Sequence, residues 1–208
     1  MIKPAVSRRL CLLAVAVAAA AWPAHAEPDA DEAAAFIKRA GQELGAILSG
    51  TAPLAEKRRQ MRAFIDRVVD VEAVARFCLG RHWNEASPAE LRDYVTEFHA
   101  VLVNNIVSRM GDYHKTELHV TYGAPEPRDD GVHVPTTVEQ AGSPPAQVAW
   151  VVRLGPGGPH VVDVLAEGTS LRVTVRSDFN AYLAQHANAI DALVAALREQ
   201  NARFATAP

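Results

Sequence analysis

Two cysteines in 208 residues are too few for a disulfide framework to hold this chain together. Aromatic residues make up only 6%, a poor supply of the stacking platforms on which nucleic-acid bases are bound. There is no basic surplus either. Lys and Arg number 21 against 24 Asp and Glu, a formal net charge of −3, where a nucleic-acid binder would carry a positive excess. The uninterrupted run of Leu, Cys, Val and Ala from Leu10 to Ala21 has 12 residues, and a membrane-spanning helix takes about 20.

Catalytic signatures are missing as well. The sequence has no Gly-rich phosphate loop, no H-E-x-x-H helix, no C-x-x-C pair and no G-x-S-x-G elbow. Beyond the first 26 residues the histidines are His82, His99, His114, His119, His133, His160 and His186. No two sit four apart on an expected helix, and no Cys or carboxylate cluster joins them at zinc spacing. They read as scattered surface residues, and neither a metal nor a cofactor is expected.

What is present begins with a leader. Lys3, Arg8 and Arg9 precede the short apolar run, and Ala24-His25-Ala26 follows it with the small-x-small pattern of a signal-peptidase site. Residues 1–26 therefore read as a signal peptide cleaved after Ala26, and residues 27–208 as one domain. Ser7-Arg8-Arg9-Leu10 also resembles the opening of a twin-arginine signal, so the export route stays open. Removing the leader leaves 18 of the 21 basic residues against all 24 acidic ones, a net charge of −6. Cys78 then remains as the only thiol, on the apolar stripe of a short helix, and reads as a buried, inert side chain.

Helical periodicity opens the domain. Ile37, Ala40, Leu44, Ile47 and Leu48 recur on one face, with Asp31 as the cap, and Gly50-Thr51-Ala52-Pro53 separates them from Leu54, Met61, Phe64, Ile65 and Val68. Lys57, Arg58, Arg59 and Arg62 crowd the second helix's other face, which reads as solvated. Asp70 caps a third helix that Gly80 ends. Ser87-Pro88-Ala89-Glu90 forms a capping box that starts a helix running to about Met110.

The period then changes from 3.6 to 2. Strands are expected around Leu118–Tyr122, Val132–Val138, Val148–Leu154 and residues 160–165, separated by short Gly/Pro turns that fit an antiparallel meander. Two further helices carry Leu171, Val175, Phe179 and Leu183, then Ile190, Leu193, Val194 and Leu197. The pattern predicts an α+β fold, with helices packed on one face of a curved antiparallel four-stranded sheet. Asp163 and Glu167, four apart in an extended segment, share a face. They read either as an acid/base pair or as acceptors for backbone and Arg donors.

Val69-Asp70 through Ala75-Arg76 to Leu79-Gly80, then Trp83, Ser87-Pro88, Leu91 and Phe98, resemble the helical half of the MlaC/toluene-tolerance family. Asp163-Val164-Leu165-Ala166-Glu167-Gly168-Thr169-Ser170-Leu171, followed by Arg176 to Phe179, resembles its carboxy-terminal signature. The resemblance implies a periplasmic, non-enzymatic phospholipid carrier with an apolar lipid cavity between helices and sheet. Its implied partners are phospholipid, an outer-membrane lipoprotein complex, and an inner-membrane ABC transporter with its membrane-anchored substrate-binding subunit. A hopanoid-associated branch shares the export signal and fold. An enzyme on a cone-shaped fold using Asp163 and Glu167, and a non-catalytic periplasmic adaptor, remain the competing readings.

Where the widest helical stripe meets the sheet, the candidates for the cavity wall are Phe98, Leu102, Ile106, Val120, Val134, Trp150 and Val152. Tyr113 and Tyr122 are placed near a mouth. Arg153 matches an Arg on the corresponding strand of the family and is the candidate partner for a lipid phosphate. Strand alternation nevertheless puts Arg153 on the face opposite Trp150 and Val152 unless a bulge re-aims it. Arg172 and Arg176 are the competing basic positions.

Overall fold

The computed structural model describes residues 27–108, 118–140 and 142–206. The expected leader, the end of the long helix at Met110-Gly111, and Tyr113 and His114 fall outside them. In chain order, α1 spans Glu27–Ser49, α2 Leu54–Val68 and α3 Val71–Leu79. A 3-10 turn follows over Gly80–Asn84, and α4 spans Pro88–Ser108. The strands are β1 (Leu118–Tyr122), β2 (Glu126–Arg128), β3 (Gly131–Gln140), β4 (Ala146–Gly155), β5 (Gly158–Ala166) and β6 (Thr169–Ser170). Two helices close the chain, α5 over Leu171–Gln185 and α6 over Ile190–Thr206. Among the described residues no helix is long and apolar enough to cross a membrane.

The helix starts follow the local chemistry. The Asp70 side chain accepts the Ala73 N–H at 2.9 Å and begins α3. At α4 the box is reciprocal: Ser87 N–H donates to Glu90 at 2.8 Å, and Glu90 N–H to Ser87 Oγ at 3.3 Å. Asp31 does not start α1, which begins at Glu27. Ala30 and Ala33 extend the buried stripe of Ile37 and Ala40 by two turns, and that burial carries the helix past the expected cap.

The sheet is antiparallel, in the order β1-β3-β4-β5-β6, with β2 also on β3. It has six strands rather than four. The extra two are short: Glu126–Arg128 folds back along β3, and Thr169–Ser170 along β5. At three and two residues, neither segment is long enough to show a period. The β2–β3 turn closes on Gly131, at φ 141, where a Cβ would lie 2.6 Å from the Val152 carbonyl oxygen. Only glycine fits there.

Two apolar clusters hold these elements. The first packs α1, α2 and the second half of α4, through Val103 and Val107, onto one sheet face. Cross-strand rows build that face: Val132–Val152–Val161 and Val134–Trp150–Val164. The second gathers α3, α5 and α6 around the first half of α4, with Tyr94 and Phe98 at its centre and Phe179 edge-on to both. The Tyr94 hydroxyl donates to the Ala75 carbonyl at 3.0 Å, and burial pushes its pKa up.

The basic run of α2 is not simply a solvated face. Lys57 is buried and donates to the Leu48 carbonyl at 3.1 Å, and Arg58 donates to the Phe204 carbonyl at 3.0 Å. Each cation thus satisfies a carbonyl in the last turn of another helix, α1 and α6 respectively. His82 and His133 are likewise buried, not surface residues, because Glu85 and Asp130 supply carboxylate partners, each at 2.8 Å. Leu171 and Val173, at the start of α5, are about half exposed.

Candidate functional site

The first cluster has a dry centre and a wetter margin. At its centre Val134 and Val152 are fully buried. Around it Phe36, Leu44, Leu48, Leu102, Ile106, Tyr122, Trp150, Leu154 and Val164 pack against the cluster while staying partly exposed. A globular core normally closes over side chains this large. Here α1 and α4 pack on one side of the cluster and the sheet on the other, and the partly exposed apolar margin between them is the candidate cleft. Trp150 can sit in it because its indole N–H donates to Thr136 Oγ1 at 3.1 Å, and that hydroxyl donates to the Val148 carbonyl at 2.9 Å.

Five of the expected wall residues meet in this cluster: Leu102, Ile106, Val134, Trp150 and Val152. Phe98 does not join them, since the turn of α4 that carries it belongs to the second cluster. Val120 is 36% exposed on edge strand β1. Tyr122 packs on the cleft with its hydroxyl against α1, where Gly41 leaves room: a Cβ there would lie 2.5 Å from the phenol oxygen. Burial raises the Tyr122 pKa. Sequence reasoning passed over Phe36 and Leu154, although Phe36 adjoins the stripe that Ile37 announces.

Where the β2–β3 turn meets the end of β4 is a depression of about 350 Å³. Val132, Val152 and Leu154 line it together with Asp29, Arg128, Asp129, Asp130 and Arg153. Val152 and Arg153 are consecutive and alternate in burial, Val152 buried in the sheet and Arg153 exposed, and both border the depression at the end of β4. The register shift between β4 and β5 places its extra residue, Val162, on β5, while β4 pairs with β3 without interruption, so no bulge of β4 re-aims Arg153. Arg153 is exposed, and its Nε donates to the Asp130 carbonyl at 3.1 Å.

Over residues 38–199 the sequence matches the family described as MlaC protein. The chain belongs to the MlaC family. No curated protein matches the sequence. Among solved structures, the phospholipid-binding protein from Ralstonia solanacearum in complex with a phospholipid is similar, with a TM-score of 0.73 and 22% identity over 84% of this chain and 99% of that one. At that identity the likeness establishes the fold.

The carboxy-terminal signature that resembles the MlaC pattern is a structural staple in this chain. Asp163 Oδ1 accepts the N–H groups of Val164 at 2.8 Å and Arg172 at 3.1 Å. Its Oδ2 accepts the Ser170 hydroxyl at 2.5 Å and lies 3.2 Å from Arg172 Nε. Ser170 in turn caps α5 by accepting the Val173 N–H. Glu167 exchanges bonds with Gln147: its carboxylate accepts the Gln147 N–H at 2.7 Å, and its own N–H donates to the Gln147 carbonyl at 2.9 Å. The two carboxylates serve the backbone and Arg172, the second of the readings open from sequence.

Arg172 continues to Asp130, 3.4 Å away, and stacks over the Phe77 ring with Arg176. Burial disfavours the Asp130 carboxylate, but the His133 hydrogen bond, with the charges of His133 and Arg172, outweighs it and lowers its pKa. Arg172 is thus engaged by Asp163, Asp130 and the Phe77 ring, and Arg176 by the same ring. Among the described residues no three metal-ligating side chains converge.

Cys78 is fully buried, with its thiol 3.6 Å from the Arg172 carbonyl. Burial first, then the Asp163 charge, pushes its pKa up to about 12 despite the two arginines. The thiolate fraction at neutral pH is negligible. A thiol reagent should leave Cys78 unmodified in the native protein and label it only after unfolding; rapid labelling of Cys78 in the native state would show that the second cluster opens.

Proposed function

We propose that this chain is an exported phospholipid carrier that shuttles lipid across the periplasm between the outer and inner membranes, as part of an Mla-type ABC transport system. The reading includes a leader removed after Ala26 and a single domain from Glu27 onward. The carrying observation is the cleft between α1, α4 and the sheet, where large apolar side chains remain partly exposed in a chain of the MlaC family. The phospholipid named for the Ralstonia solanacearum protein of the same fold supports it. Its partners on this reading are an outer-membrane lipoprotein complex and a transporter with a membrane-anchored substrate-binding subunit.

The physics requires no catalytic residue. Each methylene exposed to water costs about 0.8 kcal/mol, so a diacyl lipid with roughly thirty methylenes faces a gross cost of about 24 kcal/mol. A carrier need not recover all of that, because it exchanges lipid with a membrane and not with water. Reversible handover follows. Arg153, at the rim, supplies a guanidinium suited to a phosphate oxygen.

The test is organic extraction of protein purified from the periplasm, followed by mass spectrometry. The expected result is diacyl phospholipid in near-stoichiometric amount. A hopanoid-related lipid would reassign the cargo. Recovery of no lipid from folded protein would overturn the carrier in favour of an adaptor with a closed core.

A further inference from the structure

The charged rim of the depression that Asp29 lines has a composition that bears on which lipid enters, and the inference rests on the carrier reading above. Most of its charges are already engaged. Arg128 is paired with Glu126 at 2.6 Å. Asp130 is held by His133 at 2.8 Å and Arg172 at 3.4 Å. Arg153 spends only its Nε, on the Asp130 carbonyl, and among the described residues it makes no ion pair. Asp29 and Asp129 likewise make none. Among the side chains lining the depression, the uncommitted charges are therefore one cation and two anions.

We propose that this rim selects a headgroup joining a phosphodiester to a primary ammonium, a phosphoethanolamine-type headgroup, over a net-anionic one. The Nε bond leaves the terminal guanidinium N–H groups of Arg153 available for the phosphate oxygens. A primary ammonium has three donors, and the carboxylates of Asp29 and Asp129 are acceptors for them. A phosphoglycerol headgroup offers the same phosphate but no cation, and the uncommitted rim charge opposes its net charge. A quaternary ammonium has no N–H and is recognised by aromatic faces. The remaining lining of the depression is Pro127, Gly131, Val132, Val152 and Leu154, with no ring to stack on. Val132 and Val152 also belong to the apolar cluster, so a lipid held by its headgroup here has its chains directed into the cleft.

The experiment exchanges lipid into the purified protein from vesicles containing equal phosphatidylethanolamine, phosphatidylcholine and phosphatidylglycerol with identical chains. Native mass spectrometry of the re-isolated protein reads the bound species. Phosphatidylethanolamine should exceed each of the others by roughly two- to fivefold, the worth of a solvent-screened charge pair. Asp29→Asn with Asp129→Asn should bring the three to parity at unchanged total occupancy, both positions being exposed. Arg153→Ala should lower occupancy by all three phospholipids. Equal loading by the parent protein, a preference for phosphatidylglycerol, or a preference that survives the double substitution would overturn the headgroup assignment alone. Failure of every phospholipid to load would overturn the carrier reading itself.

Discussion

Leu102→Glu should give a folded protein that retains no lipid, whereas Val152→Glu should give no stably folded protein. The two positions meet the same cluster from opposite sides but differ in burial. Leu102 lies on α4 at the partly exposed margin, so a glutamate there can turn its carboxylate toward water in the empty protein. With an acyl chain in the cleft, that carboxylate would be desolvated or would draw water in beside the chain, costing several kcal/mol. Val152 has no exposure at all and stands between Val132 and Val161 in the middle of the sheet. A charge there replaces a fully buried valine, and its burial removes a large share of a domain's ordinary margin of about 5 to 15 kcal/mol. Thermal melts by circular dichroism and extraction of bound lipid from each variant check both halves. Retention of lipid by folded Leu102→Glu would remove the cleft as the binding site. A normal melt for Val152→Glu would contradict its place in the closed part of the core.

The difference between those two residues marks what sequence reading can and cannot reach. Both belong to apolar stripes, and a stripe tells which side of an element is covered. It does not tell how completely. The long helix makes the same point along its length: Leu91 to Ile106 is one wide apolar face in sequence, yet Tyr94 and Phe98 join one cluster while Leu102 and Ile106 pack against the other. Periodicity of 3.6 is blind to that division, because the partners of each turn lie far away in the chain. Local signals fared better. The capping box at Ser87, the Asp70 cap and the meander turns are short-range chemistry, and the structure uses all three. Val120 illustrates the limit from the strand side, since alternation places it on a face but edge position leaves that face open.

The charged residues were the least legible. Lys57 and Arg58 belong to what looks like a solvated run, and only the docking of α1 and α6 turns them toward helix ends. His133 is held by Asp130 and covered in a row with Val151 and Asp163 across the sheet, and no single segment contains that row. Arg153 borders the depression because the β2–β3 turn folds against the end of β4 and offers it the Asp130 carbonyl, a juxtaposition that neither segment's own sequence shows.

Asp163→Ala should be among the most damaging single substitutions outside the cleft, with a loss of about 3 to 5 kcal/mol, the usual cost of removing one partner from a buried ion pair. The carboxylate is almost entirely shielded, with 3% side-chain exposure, and Arg172 beside it has 11%. Without Asp163 the Ser170 hydroxyl and the backbone N–H groups of Val164 and Arg172 lose their acceptor, and Arg172 retains only the longer contact to Asp130. The junction of β5 with α5 is thereby loosened at several bonds together. Asp163→Asn should be milder, about 1 to 3 kcal/mol, because the amide oxygen can still accept from the backbone while the ion pair is lost. Denaturant titrations of the two variants give the ordering directly. Lipid bound per folded molecule should stay at the parent level in both, since no Asp163 contact reaches the cleft. A loss below about 1 kcal/mol for Asp163→Ala would show that the staple does not hold the junction. Unchanged stability with altered turnover of some substrate would instead return Asp163 to a chemical role.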